Sequence, residues 1–283
     1  MLRKILVPVR GDGKGDNVMA HAARLAQRHG AHTEVVHCRA RPEDLMPYGV
    51  PVPAFMREQI VAQARAVADQ EEAGFRRAME VQAEKLGLTL SPPGIGPTAA
   101  YVEEEGRQID VLRRRGRLAD LIAVAKPDRD RNLGFNTLRA AIFNANRPVL
   151  MCPPREEPPV EMGASVTVAW NGSAEAARAV HQTLSILAGA DRVTILSNGS
   201  DAGSGTTVAD LLAYLDVHGI QAEVETLSAG GTVPQQLLAA TRAVSADALI
   251  MGAYGDSHER ETLFGGNTQQ IVDHSDQPVI FCH

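Results

Sequence analysis

A chain of 283 residues with 44% hydrophobic content is long enough for two folded units and ordinary enough in composition to be globular. No apolar run approaches the roughly 18 to 20 residues a membrane helix requires, and three cysteines, few and odd in number, exclude a disulfide scaffold and fit a reducing cytosol. The formal charge of −6 conceals a split: residues 1–155 hold 24 Lys and Arg against 18 Asp and Glu, and residues 156–283 hold 4 against 16, so halves of +6 and −12 should attract one another.

Taken in chain order, Met1 to Val9 is too short in its apolar part for a signal peptide and reads as a first strand. His37 falls in another apolar strand, where a satisfied core histidine is expected in preference to a ligand. Residues 40–56 are rich in proline (Pro42, Pro47, Pro51, Pro53) and lead into a helical stretch from Arg57 to Leu86. That stretch is expected to lie as an exposed helix over the sheet edge or a pocket mouth. The cluster Arg113-Arg114-Arg115-Gly116-Arg117 falls on a helix end, where cations suit the dipole. No aromatic residues interleave it, which argues against a nucleic-acid partner. Ala119 to Ala125 and Arg147 to Cys152 are short buried strands, and the proline-paired stretch Cys152 to Pro159 is a linker by composition.

The second half alternates more plainly. Val166 to Trp170 is a strand, and Ser173 can cap a helix over Ala174 to Leu187. Val193 to Ser197 is a strand, Val208 to His218 a helix, Ala222 to Leu227 a strand, and Pro234 to Ser245 a helix with proline in its first turn. Ala246 to Met251 is an apolar strand that runs into a glycine-rich loop. A last helix and a strand over Val279 to Cys282 follow. Alternation of this kind predicts parallel sheets covered by helices on both faces.

The chain also repeats itself. Ile5 to Gly11 matches Val166 to Gly172, Ala119-Asp120-Leu121-Ile122 matches Ala246-Asp247-Ala248-Leu249, and Arg147-Pro148-Val149-Leu150-Met151-Cys152 matches Gln277-Pro278-Val279-Ile280-Phe281-Cys282. Three matched segments in one order indicate a tandem duplication, with units over residues 1–155 and 160–283.

The stretch of most chemical interest is residues 252–268, where Gly252, Gly255 and Gly265 stand between a strand and a helix and are followed by Gly266, Asn267 and Thr268. Glycines let backbone N–H groups approach a ligand, and a helix N-terminus favours anions, so phosphate is the expected guest. The alternative is a strand-to-helix turn in which the glycines serve only tight packing. The spacing Gly252-x2-Gly255-x9-Gly265 resembles the nucleotide loop of the universal stress protein family, although Gly266 stands where that loop usually carries a hydroxyl residue. The resemblance implies two Rossmann-like domains of the adenine nucleotide alpha-hydrolase type, each a five-stranded, mainly parallel α/β sheet of order 3-2-1-4-5. It implies ATP or a related adenine nucleotide, with Mg2+ as an option. Its phosphates would lie against Gly252, Gly255, Gly265, Gly266, Asn267 and Thr268. Its adenosine part would lie near Ala169, Trp170, Asn171 and Asn198, with Asn171 in place of the family's usual aspartate. It further implies a stress-response role in the cytoplasm and pairing of the last strands as in dimers of this family. Such pairing would give an internal pseudo-dimer, bring Cys152 and Cys282 near each other, and leave room for a further homodimer.

The first half departs from the pattern. Arg10 replaces the acidic position, Ala125 and Asp128 replace Gly252 and Gly255, and the loop to Gly134 is four residues shorter. This half is expected to be degenerate, with Lys126, Arg129 and Arg131 forming a solvated surface in preference to an anion site. No catalytic residue or metal ligand is expected. Ser257 beside His258 lacks the arrangement of a nucleophile, and Asp256, His258 and Glu259 are expected to be solvated loop charges in preference to magnesium ligands. A slow Mg-dependent ATP hydrolase in the same pocket and a nucleotide-free protein-interaction module are the alternative functions.

Overall fold

The computed structural model describes residues 1–9, 15–39, 41, 53–131, 133–155, 159–199, 205–228, 230–253 and 266–283. The first half contains β1 (Lys4–Val9), α1 (Gly15–His29), β2 (His32–Arg39), α2 (Ala54–Lys85), β3 (Thr89–Leu90), β4 (Thr98–Glu105), α3 (Gln108–Gly116), β5 (Leu121–Ala125), α4 (Phe135–Ala145) and β6 (Val149–Cys152). The second contains β7 (Ser165–Ala169), α5 (Ala174–Leu187), β8 (Arg192–Ser197), α6 (Val208–Val217), β9 (Ala222–Thr226), α7 (Val233–Ala243), β10 (Ala248–Gly252), α8 (Gly266–His274) and β11 (Val279–Cys282). Helix α5 begins where its cap predicts, because Ser173 Oγ accepts a hydrogen bond from Ala176 N.

The strands form one sheet in the order β3-β4-β2-β1-β5-β6-β11-β10-β7-β8-β9. Leaving aside the two-residue edge strand β3, each half has the order 3-2-1-4-5. Every pairing is parallel except β6 with β11, where the halves meet antiparallel. The register there sets Val279 opposite Met151 and Phe281 opposite Val149. Cys152 and Cys282 therefore lie four residues apart along the ladder, about 13 Å at the rise of a strand. This corrects the expectation that they neighbour each other. Both thiols are free and buried, and burial pushes both well above the ordinary thiol range.

Side chains alternate across this sheet into two apolar layers. Ile5, Val7 and Val9 join α1, α2, α5 and α6 on one face, and Leu6 and Ile122 join α3, α4, α7 and α8 on the other. Each layer runs through both halves, so the core is shared. The repeated Ala-Asp segment has a structural purpose. Asp120 Oδ2 accepts from Arg3 N and Lys4 N, at 2.8 and 2.9 Å. Asp247 accepts from Gly163 N, Ala164 N and Ser165 N, at 2.8, 2.8 and 3.0 Å. In each half this carboxylate ties the start of the first strand to the start of the fourth.

Helix α5 crosses β10 closely. A Cβ added at Gly252 would stand 2.7 Å from the carbonyl carbon of Glu175 and 2.8 Å from its oxygen. The backbone of α5 thus demands glycine at this position, whatever ligand lies beyond it. Gly252→Ala should cost about 1–3 kcal/mol through overpacking, read as a lower urea midpoint without nucleotide present.

His21, His29 and His32 lie inside this core or where the halves meet. His21 is fully buried on α1, with Nδ1 at 2.7 Å from Asn17 O. His29 abuts Gly189 of the other half, and His32 is buried on β2. Burial, their largest influence, lowers all three below the ordinary imidazole range. The unfolded chain therefore takes up protons near pH 6.5 before the folded chain does, so stability falls as pH drops below that value. Melting temperatures measured from pH 7.5 down to 5.5 should decline, and the decline should be shallower in His21→Gln.

Candidate functional site

Parallel sheets gather ligands at the carboxyl ends of the strands where the strand order reverses. In the second half that point lies between β7 and β10. Trp170 extends the ladder, with its N–H donating to Leu196 O at 2.9 Å. Its indole is buried in the apolar layer of α1 and α5, which withdraws the ring from the strand end. Asn171 is exposed, and its Oδ1 accepts from Ser173 N at 3.2 Å, which turns the chain into α5. Gly172 has φ +73°, and Thr206 packs across it so closely that an added Cβ would meet Thr206 O at 2.6 Å. On the neighbouring strand, Ser197 Oγ accepts from Gly199 N at 3.3 Å, with Asn198 between them.

Strand β10 ends at Gly252, and α8 begins at Gly266. Gly255 and Gly265 lie outside the described residues, as do Asp256, Ser257, His258 and Glu259. Gly266 and Asn267 are exposed, among the described residues nothing lies within 4 Å of a Cβ built at Gly266, and Thr268 is buried in the first turn of α8. The described candidates Ala169, Trp170, Asn171, Asn198, Gly252, Gly266, Asn267 and Thr268 thus occupy the ends of β7, β8 and β10 and the start of α8. Among the described residues, no group of three or more His, Cys, Asp or Glu is placed to hold a metal ion.

The same end of the first half is built differently among the described residues. Asp128 N donates to Leu133 O at 2.9 Å and Leu133 N to Asp128 O at 3.0 Å, so the short loop pairs with itself. Gly134, at φ +89°, folds against Pro127. Helix α2 packs against α1, β3 and β4 beside this end. Met79 lies beside Gly15 at the start of α1, where Val9 also approaches. Glu72, 5% exposed, accepts from the Tyr101 hydroxyl and lies 2.6 Å from His37 Nδ1. Phe75 packs on His37 with ring centroids 5.1 Å apart, and the Arg76 guanidinium lies 5.0 Å from the centre of the Tyr101 ring. By the sheet register, His37 and Cys38 occupy the positions of Ser197 and Asn198. The inserted helix therefore stands over the surface that the second half leaves to β8.

Lys126 is drawn off the solvated surface expected of it, whereas Arg129 stays exposed but is paired. Lys126 Nζ donates to Asp273 O and Ser275 O at 2.8 and 2.7 Å, and Arg129 pairs with Asp273 at 2.5 Å. Both reach from the first half to the end of α8, and burial lowers the Lys126 ammonium below its ordinary range. Arg131 stays exposed, its N–H donating to Asp128 Oδ1 at 3.2 Å. Of the helix-end arginines, Arg115 pairs with Glu34 and Glu104, Arg114 with Glu104, and Arg113 with Asp110. Sequence reasoning expected a satisfied histidine at His37 but missed its partner Glu72 and Tyr101 beside it, since these are far apart in the chain. The Lys126 grip left one trace, a lysine at the repeat position held by Ala253 in the other half.

Among the described residues, no helix is long and apolar enough to cross a membrane. No curated protein matches the chain. Among solved structures, a universal stress protein from Archaeoglobus fulgidus DSM 4304 matches with a TM-score of 0.65 and 15% identity, over 99% of this chain and 97% of that one. A protein of unknown function from Pseudomonas aeruginosa PAO1 matches at 0.52 and 14%, over 99% and 92%. A universal stress protein solved in complex with cAMP overlays 42% of this chain and 97% of its own, at 0.31 and 21%. The universal stress protein family model matches twice, over residues 1–153 and 164–283. The chain belongs to the universal stress protein family, with two copies of its fold in tandem.

Proposed function

We propose that this is a stress-response regulatory protein of the cytoplasm that holds one ATP, or a related adenine nucleotide, in residues 160–283. Residues 1–155 serve as its degenerate partner, and the two units make an internal pseudo-dimer. The observation that carries this reading is the asymmetry between two copies of one fold. The first copy packs α2 against the end of β2 and pairs its short loop with itself, whereas in the second Asn171 and Gly266 are exposed; Asn267 is exposed as its counterpart Asn136 is.

Gly266, Asn267 and Thr268, with Gly252, Gly255 and Gly265 of the loop, would take the phosphates. The backbone at Ala169 and Trp170, with the side chains of Asn171 and Asn198, would take the adenosine part. The half containing this site has no lysine and a net charge of −12, so backbone N–H groups and the start of α8 must supply the attraction. Close packing accounts for Gly252 without a ligand, which leaves the remainder of the loop as the specific element.

Extraction of the purified protein followed by mass spectrometry should release one adenine nucleotide per chain. Added ATP should stay intact for hours, and binding measured by calorimetry should be lost in Gly265→Val. Steady production of ADP that stops in Gly265→Val would favour the hydrolase. Absence of nucleotide, with no rise in melting temperature at millimolar ATP, would reduce the chain to a protein-interaction module.

A further inference from the structure

We infer that Lys126 of the first half is a positioning residue for the phosphate end of the second half's site, acting by holding α8 at its C-terminus; the inference rests on the nucleotide reading above. Helix ends leave carbonyl groups unsatisfied, and a residue in the left-handed region commonly closes them. Helix α4 ends in that way, with Asn146 at φ 52°. Among the described non-glycine residues, only Asn146 and Ser245 have positive φ, so α8 is not closed by such a residue. Its terminal carbonyls accept instead from a side chain of the other half, Lys126 Nζ at Asp273 O and Ser275 O.

The grip is built from both sides. Lys126 N donates to Cys152 O at 2.8 Å, which fixes the root of the lysine to the central strands. Ala253 makes the same backbone bond to Cys282 O but carries no side chain to reach across. On the other side, Asp273 is held by Arg129 at 2.5 Å and by Gln269 Nε2 at 2.7 Å. Ser275 is fully buried, with its hydroxyl donating to Gln277 O at 2.7 Å.

Helix α8 has 9 residues, so its two ends are about 13 Å apart. A pivot of about 10° at the held end would carry Gly266 through about 2 Å, by the length of such a helix. Hydrogen bonds to a phosphate tolerate a donor–acceptor range of only about 0.5 Å. Holding one end therefore decides whether the N–H groups at the other end meet the ligand.

The test compares ATP with adenosine, which lacks the phosphates, by calorimetry on the full chain and its Lys126→Met and Lys126→Arg variants. Hydrogen exchange of α8 is followed in parallel. Lys126→Met should weaken ATP at least about fivefold, the low end of ordinary coupling between sites. It should leave adenosine within about twofold and speed exchange in α8, and Lys126→Arg should restore most of the ATP affinity. Unchanged ATP affinity in Lys126→Met, or equal losses for ATP and adenosine, overturns the inference while leaving the nucleotide reading in place. Failure of the unsubstituted chain to bind either compound overturns both. If Lys126→Met does not fold, Arg129→Ala carries the test, because it loosens the same helix end from an exposed position. Weaker ATP binding with adenosine unchanged supports the inference, and no change in either overturns it.

Discussion

The antiparallel pairing of β6 with β11 is the contact on which the rest of the molecule depends. Each half alone would end in an apolar strand with unpaired N–H and C=O groups, a template for unwanted association. Pairing these two strands removes both edges and fuses the two apolar layers across the junction. The edges that remain are managed differently. One is the two-residue β3, and the other is β9, whose Glu223 and Glu225 are exposed and charged. The same pairing brings the end of β5 beside the end of α8, which sets Lys126 within reach of Asp273 and Ser275.

Once the halves are fused, they no longer need to be alike. A paired domain contributes stability through the junction whether or not its own strand ends stay open. The first half packs its own inserted helix against the end of β2. The cost of enclosing the Glu72 carboxylate is offset by its two partners, Tyr101 and His37. The basic excess of this half is likewise spent on partners, Arg28 on Asp191 and Arg129 on Asp273 across the junction. These two pairs are where the charge split read from composition becomes local contact across the junction.

Local patterns were legible in the sequence. Strand alternation, the Ser173 cap, the repeat, the strand order implied by the family resemblance and the long helix after the proline-rich stretch all appear, with α2 starting at Ala54 instead of Arg57. What was not legible depended on register and on distant partners. The Cys152 and Cys282 separation follows only from which residues face each other in β6 and β11. The repeated aspartates were visible as a repeat, but their role as acceptors for strand-start N–H groups required the fold. At the candidate site the exposed positions were identifiable from the motif. The burial of Trp170 and the packing demand on Gly252 were not, because both come from helix α5 and its layer crossing the strands.

Charge alone cannot explain how the basic half would serve an anion site in the acidic one. The end of α8 held by Lys126 is about 13 Å from Gly266, and the screening length at physiological salt is about 8 Å. The ammonium would therefore be a weak source of field at a phosphate held beside Gly266, and its partial burial serves hydrogen bonding to two carbonyls. Its influence must pass through the orientation of a short rigid helix. The asymmetry of the repeat then has a physical sense. A cation placed in the loop of the second half would meet the ligand directly, as point charges do. Under the reading proposed above, a cation placed in the loop of the first half would leave the second site to backbone donors and would fix their direction from behind. Lysine at position 126 and alanine at position 253 are the two sides of that arrangement.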